Sequence, residues 1–144
     1  QAIAKTFLVS CDNAHALHPN HAEKTDAVNF VTMNGGIVIK ESANQKYTTD
    51  AFSRALFTGV CQNVNVPVQS FANRSDVVGG STLGNLSNTQ VSVHAVDFGL
   101  AQLAMHSCFE TAGVKDTEYA IAALKEFYET NVQIEEAESV CLEK

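Results

Sequence analysis

The chain has 144 residues, 45 % hydrophobic and 17 % charged, which is typical of one globular domain with its own core. Its formal net charge of −7 argues against a nucleic-acid partner, because nucleic-acid-binding surfaces are usually basic. No stretch approaches the roughly 20 apolar residues of a membrane span, and no signal-peptide pattern is visible. We therefore expect a cytoplasmic protein without a membrane partner. Since Gln1 lies almost directly before a predicted strand, we also expect a longer parent polypeptide.

Strand and helix patterns alternate along the chain, which favours an α/β layered fold in a single unit. Strands are predicted where β-branched and apolar residues lie between turn residues, at 5–11, 36–40, 66–71 and 91–96. A helix capped by Thr49 or Asp50 is predicted from the helical spacing of apolar residues up to Val64. Further helices are predicted over 101–112 and from a cap at Asp116, with a loop over 73–87.

Metal-ligand residue types follow the first predicted strand. Asp12 comes next to the strand, and His15, His18 and His21 follow at intervals of three residues. Ligands bind at the carboxyl ends of strands in α/β sheets, and carboxylate with neutral imidazole suits zinc or a similar divalent ion. A second interpretation stays open, in which Asp12 caps a helix that starts at Asn13 and the histidines are ordinary surface residues.

The other candidate residues also allow two interpretations. The glycine-rich stretch 79–84 either wraps a substrate with its backbone N–H groups or forms a turn with positive-φ positions. His106 is either a metal ligand or an isolated histidine on an apolar run. Lys40 and Tyr47 are residue types that usually lie on the surface. Four widely spaced cysteines without a C-x-x-C pair predict free, buried or half-buried thiols in a reducing compartment.

Four segments together resemble the M18 family of metallo-aminopeptidases, the group of aspartyl aminopeptidase and vacuolar aminopeptidase I. In chain order they read SCDNAHALHPNHAEK, MNGGIVIKESANQKYTTDA, NRSDVVGGSTLG and VDFGLAQLAMHSCFETAGVKDTEY. The resemblance covers nearly the whole chain but only the C-terminal part of such an enzyme. It implies that 1–144 is the C-terminal segment of one catalytic domain, an αβα three-layer sandwich with a mixed twisted sheet.

The resemblance also implies a function, the zinc-dependent removal of N-terminal residues from peptides by a metal-activated water. Two residues match metal ligands of the family, and six match positions around its substrate pocket. The ligands are Asp12 and His106, and the pocket residues are His15, Lys40, Tyr47, Gly80, Ser81 and Thr82. If both ligands bind one ion, their donor atoms should lie within about 5 Å of each other.

The complete site would hold two zinc ions, or other first-row divalent ions. The remaining ligands and the glutamate general base belong to family sequence upstream of this chain, so no catalytic residue is expected here. The implied partners are a peptide with a free N-terminus, the N-terminal part of the same enzyme, and further copies, up to a dodecamer.

Some positions depart from the family pattern. Lys46 and Thr48 stand where the family often has Arg and Ala, Ala101 replaces a frequent Pro, and Cys108-Phe109 replaces Ile-Arg. None of these changes removes a predicted ligand. Two other functions remain open: an assembly or interaction remnant with an unused metal site, and a metal-independent hydrolase using Cys61 or Ser81, for which no nucleophile elbow is visible.

Overall fold

A four-stranded mixed sheet forms the centre of the protein in a computed structural model that describes residues 2–136 and 139–143. The strand order is β1-β5-β3-β4. The outer pairs β1–β5 and β3–β4 are parallel, whereas β3 and β5 run antiparallel, so the predicted mixed sheet is confirmed. The strands are β1 (Phe7–Cys11), β2 (Ala14–His15, in a second sheet), β3 (Ile37–Lys40), β4 (Val68–Phe71) and β5 (His94–Gly99).

Two helices, α1 (Ala51–Asn63) and α3 (Val114–Glu129), pack together against one face of the main sheet. The predicted start of α1 is confirmed, because Asp50 and Ser53 form a reciprocal capping box that satisfies free N–H groups of the first turn. The core on this face centres on Phe57 and Phe98, whose rings lie 4.7 Å apart. It is completed by Ile37, Ile39, Cys61, Val66, Val96 and Ala123.

The short helix α2 (Leu83–Asn88) packs on β1 and β5. Its Gly84 approaches the side chains of Ser10 and Asp97 so closely that an added Cβ would lie 2.9 Å from Ser10 Cβ. Because side chains alternate along a strand, Asp97 points to the face opposite that of its neighbours Val96 and Phe98. Helices therefore lie on both faces of the main sheet, which agrees with a layered α/β fold, while a complete three-layer sandwich stays a prediction.

The prediction of a helix over 101–112 is wrong. This segment forms β6 (Ala101–Leu103) and β7 (Thr111–Ala112), which pair antiparallel, and β6 also pairs with β2. The second sheet covers a core cluster that includes Val38 and Phe71. Helical spacing of apolar residues is ambiguous in a short run, and here pairing with β2 and β7 satisfies the backbone instead.

Smaller corrections concern element boundaries. The first and fourth predicted strands begin two or three residues later than expected, and the predicted loop 73–87 contains the start of α2. Asp116 does not cap α3, which begins at Val114. The Asp116 side chain is fully buried and accepts hydrogen bonds from the N–H groups of Asn34 (2.6 Å) and Gly36 (2.9 Å). It therefore ties α3 to the turn that precedes β3.

The C-terminal segment forms a hairpin of β8 (Asn131–Glu136) and β9 (Ser139–Glu143), which the sequence patterns do not predict. The hairpin lies against α1, where an added Cβ at Gly59 would stand 3.3 Å from Leu142 Cδ1. All four cysteines are free thiols, but the prediction that they are buried or half-buried holds only for Cys61, because Cys11, Cys108 and Cys141 are exposed. Across residues 2–136 and 139–143, no helix has the length and hydrophobicity needed to cross a membrane.

Candidate functional site

All eight predicted site residues line one cavity of about 490 Å³. Three chain segments meet there: the residues that follow β1, the segment from the end of β3 to Tyr47, and the glycine-rich stretch before α2. The turn after β6 adds His106 as a fourth contribution. The cavity thus gathers side chains from sequence positions 12 to 106, although β1 and β3 run in opposite directions in the main sheet and β6 belongs to the second sheet.

Asp12 begins the irregular link between β1 and β2. The helix predicted by the capping alternative is not formed, because Asp12 and Ala14 donate their N–H groups to the carbonyls of Phe98 (2.8 Å) and Leu100 (2.9 Å). The Asp12 side chain is about half exposed, at 49 %, and faces the cavity. A carboxylate that is fixed at its backbone and half exposed at its side chain is suited to binding a cation.

Lys40 is a buried residue, although lysine is usually a surface residue type. It is 3 % exposed, and its Nζ donates to Asp12 Oδ2 at 3.0 Å. The same Nζ donates to the main-chain carbonyls of Asp12 (3.2 Å) and Asn13 (3.1 Å). The ammonium therefore fixes both the charge and the backbone of the segment that carries the predicted metal ligand.

Tyr47 is also buried and is 6 % exposed. Its ring lies beneath Lys40, with Nζ 4.8 Å from the ring centroid, a cation–π contact. Its hydroxyl accepts a hydrogen bond from Asn73 Nδ2 at 2.9 Å. Burial raises the pKa of the Tyr47 phenol, so the group stays protonated and able to donate a hydrogen bond into the cavity.

Of the three spaced histidines, only His15 lines the cavity that contains Asp12. All three line a neighbouring cavity of about 330 Å³, where the ring centroids of His18 and His21 lie 5.1 Å apart. Desolvation lowers the pKa of His15, and its electrostatic interactions with His106 and Lys40 lower it further, while the Asp12 carboxylate opposes the shift. A neutral imidazole is the form that can bind a metal ion or accept a proton.

His106 lies in the turn between β6 and β7 and is exposed at the cavity. Both predicted ligands, Asp12 and His106, therefore line the same space, although they follow strands of different sheets. The predicted distance of about 5 Å between their donor atoms stays a prediction.

The glycine-rich stretch leads into α2 and forms one wall of the cavity. Among the residues that the structure describes, only Gly36 is a glycine with positive φ, so this stretch is not a turn built on left-handed positions. Gly80 faces open space, whereas Gly84 touches the main sheet. Thr82 is 2 % exposed and precedes α2 without capping it through its side chain.

The donor set fits zinc in kind but is too small for a complete site. Carboxylate and imidazole are common zinc ligands, and a catalytic zinc usually has three protein ligands and a water. Within residues 2–136 and 139–143, no group of three or more His, Cys, Asp or Glu side chains could hold a metal ion. Further ligands would have to come from outside these residues.

Three polar residues that sequence reasoning did not single out support the site. Asn13 accepts from Leu100 N–H at 3.0 Å and its amide also binds Gln102, which attaches the Asp12 segment to the second sheet. Asn73 holds the Tyr47 hydroxyl. Asp97 is fully buried and accepts from the N–H (2.6 Å) and hydroxyl (2.8 Å) of Thr48. Asn13 and Asn73 each lie two residues after a strand, whereas Asp97 lies within β5.

The cavity thus brings together a carboxylate, imidazoles and a glycine-rich wall beside a mixed α/β sheet. Residues 1–128 match the family model described as aminopeptidase I zinc metalloprotease (M18). The chain belongs to the M18 family of metallo-aminopeptidases, as the four sequence segments predicted.

Similar proteins agree with this assignment. The chain is 47 % identical over 128 residues to a probable M18 family aminopeptidase 2 from Clostridium novyi. The aligned region covers 89 % of this chain and 30 % of the relative. This chain matches a chain in the cryo-EM structure of the Ape4 and Nbr1 complex with a TM-score of 0.86 and 42 % sequence identity. The match covers 88 % of this chain and 24 % of the other. A dodecamer of mApe1 from S. cerevisiae gives a TM-score of 0.77 at 27 % identity, over 88 % of this chain and 27 % of that one. The chain therefore spans about 30 % of the length of the curated relative.

Proposed function

We propose that this chain supplies part of the active site of a zinc-dependent aminopeptidase that removes N-terminal residues from peptides. The observation that carries the proposal is the single cavity in which Asp12 and His106 stand beside His15, Lys40 and Tyr47. Membership of a zinc metalloprotease family gives this cavity its chemistry. The complete site would hold two zinc ions, or other first-row divalent ions.

Asp12 and His106 would hold metal, which when bound acidifies a water and polarises the scissile carbonyl. His15 and Tyr47 would orient the peptide and stabilise negative charge on the carbonyl oxygen, since the protonated phenol can donate a hydrogen bond. Gly80, Ser81 and Thr82 would border the peptide backbone. Lys40 would also contact substrate, in addition to its three bonds to residues 12 and 13.

The wider setting follows from the same proposal. The general base and the remaining ligands would come from the N-terminal part of the enzyme, because the described residues offer no group of three metal-binding side chains. The working protein would be cytoplasmic and a homo-oligomer, and the solved mApe1 dodecamer supports an assembly of that size. No nucleic-acid or membrane partner is proposed, in keeping with the net charge of −7.

Fragment complementation tests the proposal. The chain alone, with added zinc or cobalt, should not hydrolyse aminoacyl substrates. Adding the upstream part of the Clostridium novyi relative, a 47 % identical homologue, should create an activity that a chelator removes. Asp12→Asn and His106→Gln should each reduce that activity at least about 100-fold, and the exposed control Lys125→Met should not. Turnover by the chain alone, or complementation that is insensitive to both variants, would contradict the proposal.

A second function keeps specific support, because the described residues offer too few ligands for a complete metal site. In this alternative the chain is a non-catalytic assembly or interaction remnant of such an enzyme. Metal content separates the two functions. Stoichiometric zinc in the complemented complex, lost in Asp12→Asn, supports the enzyme. A stable complex without zinc or activity supports the assembly role.

A further inference from the structure

The turn that carries His106 has an unusual backbone. Residues 104–110 join β6 to β7, and both Ala104 (φ 56°) and His106 (φ 68°) adopt left-handed conformations although neither is glycine. Left-handed backbone disfavours residues that have a Cβ, and such positions persist only where the surrounding structure imposes them. The reason for the His106 conformation must therefore lie in its contacts.

The strongest of these contacts comes from Glu110. Its Oε1 accepts a hydrogen bond from the N–H of His106 at 2.6 Å, a short distance typical of a carboxylate acceptor. Glu110 directly precedes β7, and the pairing of Thr111 with Leu103 fixes its backbone on the second sheet. The turn is closed further by Ser107 N–H, which donates to the carbonyl of Ala104 at 3.0 Å. The contact therefore joins Glu110, whose backbone is fixed next to β7, to His106, whose backbone is left-handed.

We propose that Glu110 is a positioning residue for His106. Its carboxylate holds the His106 backbone in the left-handed conformation and so presents the imidazole to the cavity that also contains Asp12. Glu110 is exposed and does not line this cavity, so it acts through His106 and not on the substrate. The inference rests on the proposed function only where it treats His106 as a metal ligand.

Amide NMR of the 15N-labelled chain tests the backbone half of the proposal. In Glu110→Ala, hydrogen exchange of the His106 amide should become at least about tenfold faster, because a charge-assisted bond is lost. The three-bond coupling between HN and Hα of His106, which reports φ, should also change from its value in the left-handed conformation. Glu110→Gln keeps an acceptor and should stay close to wild type, and Glu118→Ala, an exposed carboxylate of α3, serves as control. A His106 amide that behaves alike in Glu110→Ala and Glu118→Ala would overturn the proposal.

Zinc titration followed by the imidazole resonances tests the other half. Glu110→Ala should weaken zinc binding at His106 about 10- to 100-fold, the loss typical of a residue that orients a ligand, while Glu110→Gln should restore most of it. Unchanged zinc binding in a Glu110→Ala chain whose His106 amide has moved would overturn the positioning role. If the wild-type chain complemented by the upstream part of the relative does not bind zinc and the His106 amide still responds to Glu110→Ala, the proposed function fails while Glu110 retains its role in the backbone.

Discussion

Replacing Lys40 by Met tests whether the buried ammonium fixes the Asp12 segment. Met keeps most of the aliphatic stem, so the packing against Tyr47 is largely preserved and the change removes mainly the charged group. Three hydrogen bonds are lost, one to the Asp12 carboxylate and two to the main-chain carbonyls of Asp12 and Asn13. The stability of the chain then depends on how well these three acceptors recover other partners.

The carboxylate and the carbonyls should respond differently. The Asp12 side chain is 49 % exposed and can be hydrated, so its loss is modest. Each carbonyl left without a partner costs about 1–3 kcal/mol, or about 2–6 kcal/mol for the pair. The Lys40 ammonium is 3 % exposed, so its burial costs free energy. Removing it offsets part of the loss from the unpaired carbonyls. We expect a net loss of about 2–4 kcal/mol in the free energy of unfolding.

Urea unfolding and thermal melting measure this loss. For a chain of this size, about 3 °C in Tm corresponds to each kcal/mol, so Lys40→Met should lower Tm by roughly 6–12 °C. Lys125→Met is the matched control, because its side chain is 73 % exposed and its ion pair with Glu129 is long, at 3.9 Å. It should change stability by less than about 0.5 kcal/mol. Equal stabilities of the two variants would refute the role assigned to Lys40.

The remaining predictions concern the core and the turns that support the site. Burial raises the pKa of Cys61 to about 12, so iodoacetamide near pH 8 should modify the exposed Cys108 but not Cys61. Mass spectrometry identifies the modified cysteines, and modification of both in the folded protein would contradict the burial of Cys61. Asp116→Ala should cost about 2–4 kcal/mol in urea unfolding, since two N–H groups lose a charged acceptor, and a loss below about 0.5 kcal/mol would show that the turn before β3 holds without it. Gly84→Ala should cost about 1–3 kcal/mol because its Cβ meets Ser10, while Gly80→Ala faces open space and should be near neutral by the same measurement; equal costs would place the close contact elsewhere.

Much of the main sheet was predictable because its signals are local. The run Ile37–Lys40 is β-branched and bounded by turn residues, and Asp50 with Ser53 forms a cap of the kind expected before an amphipathic helix. The segment 101–112 defeated the same reasoning. Its apolar spacing also suits a helix, and the decision for two strands depends on β2, about 90 residues earlier in the chain.

The sequence alone determined the family and the residue types of the site. Asp12, His106, His15, Lys40 and Tyr47 could each be selected because they lie in motifs that resemble those of M18 enzymes. The tertiary structure decided what each side chain contacts. It buried Lys40 beneath the Asp12 segment, placed Asp116 against the turn before β3, and brought Glu110 to the backbone of His106. The bonds of Lys40 and Asp116 join residues that lie 28 and 80 positions apart and meet only through sheet pairing and helix packing, while the Glu110 bond is local but depends on the left-handed backbone of the turn.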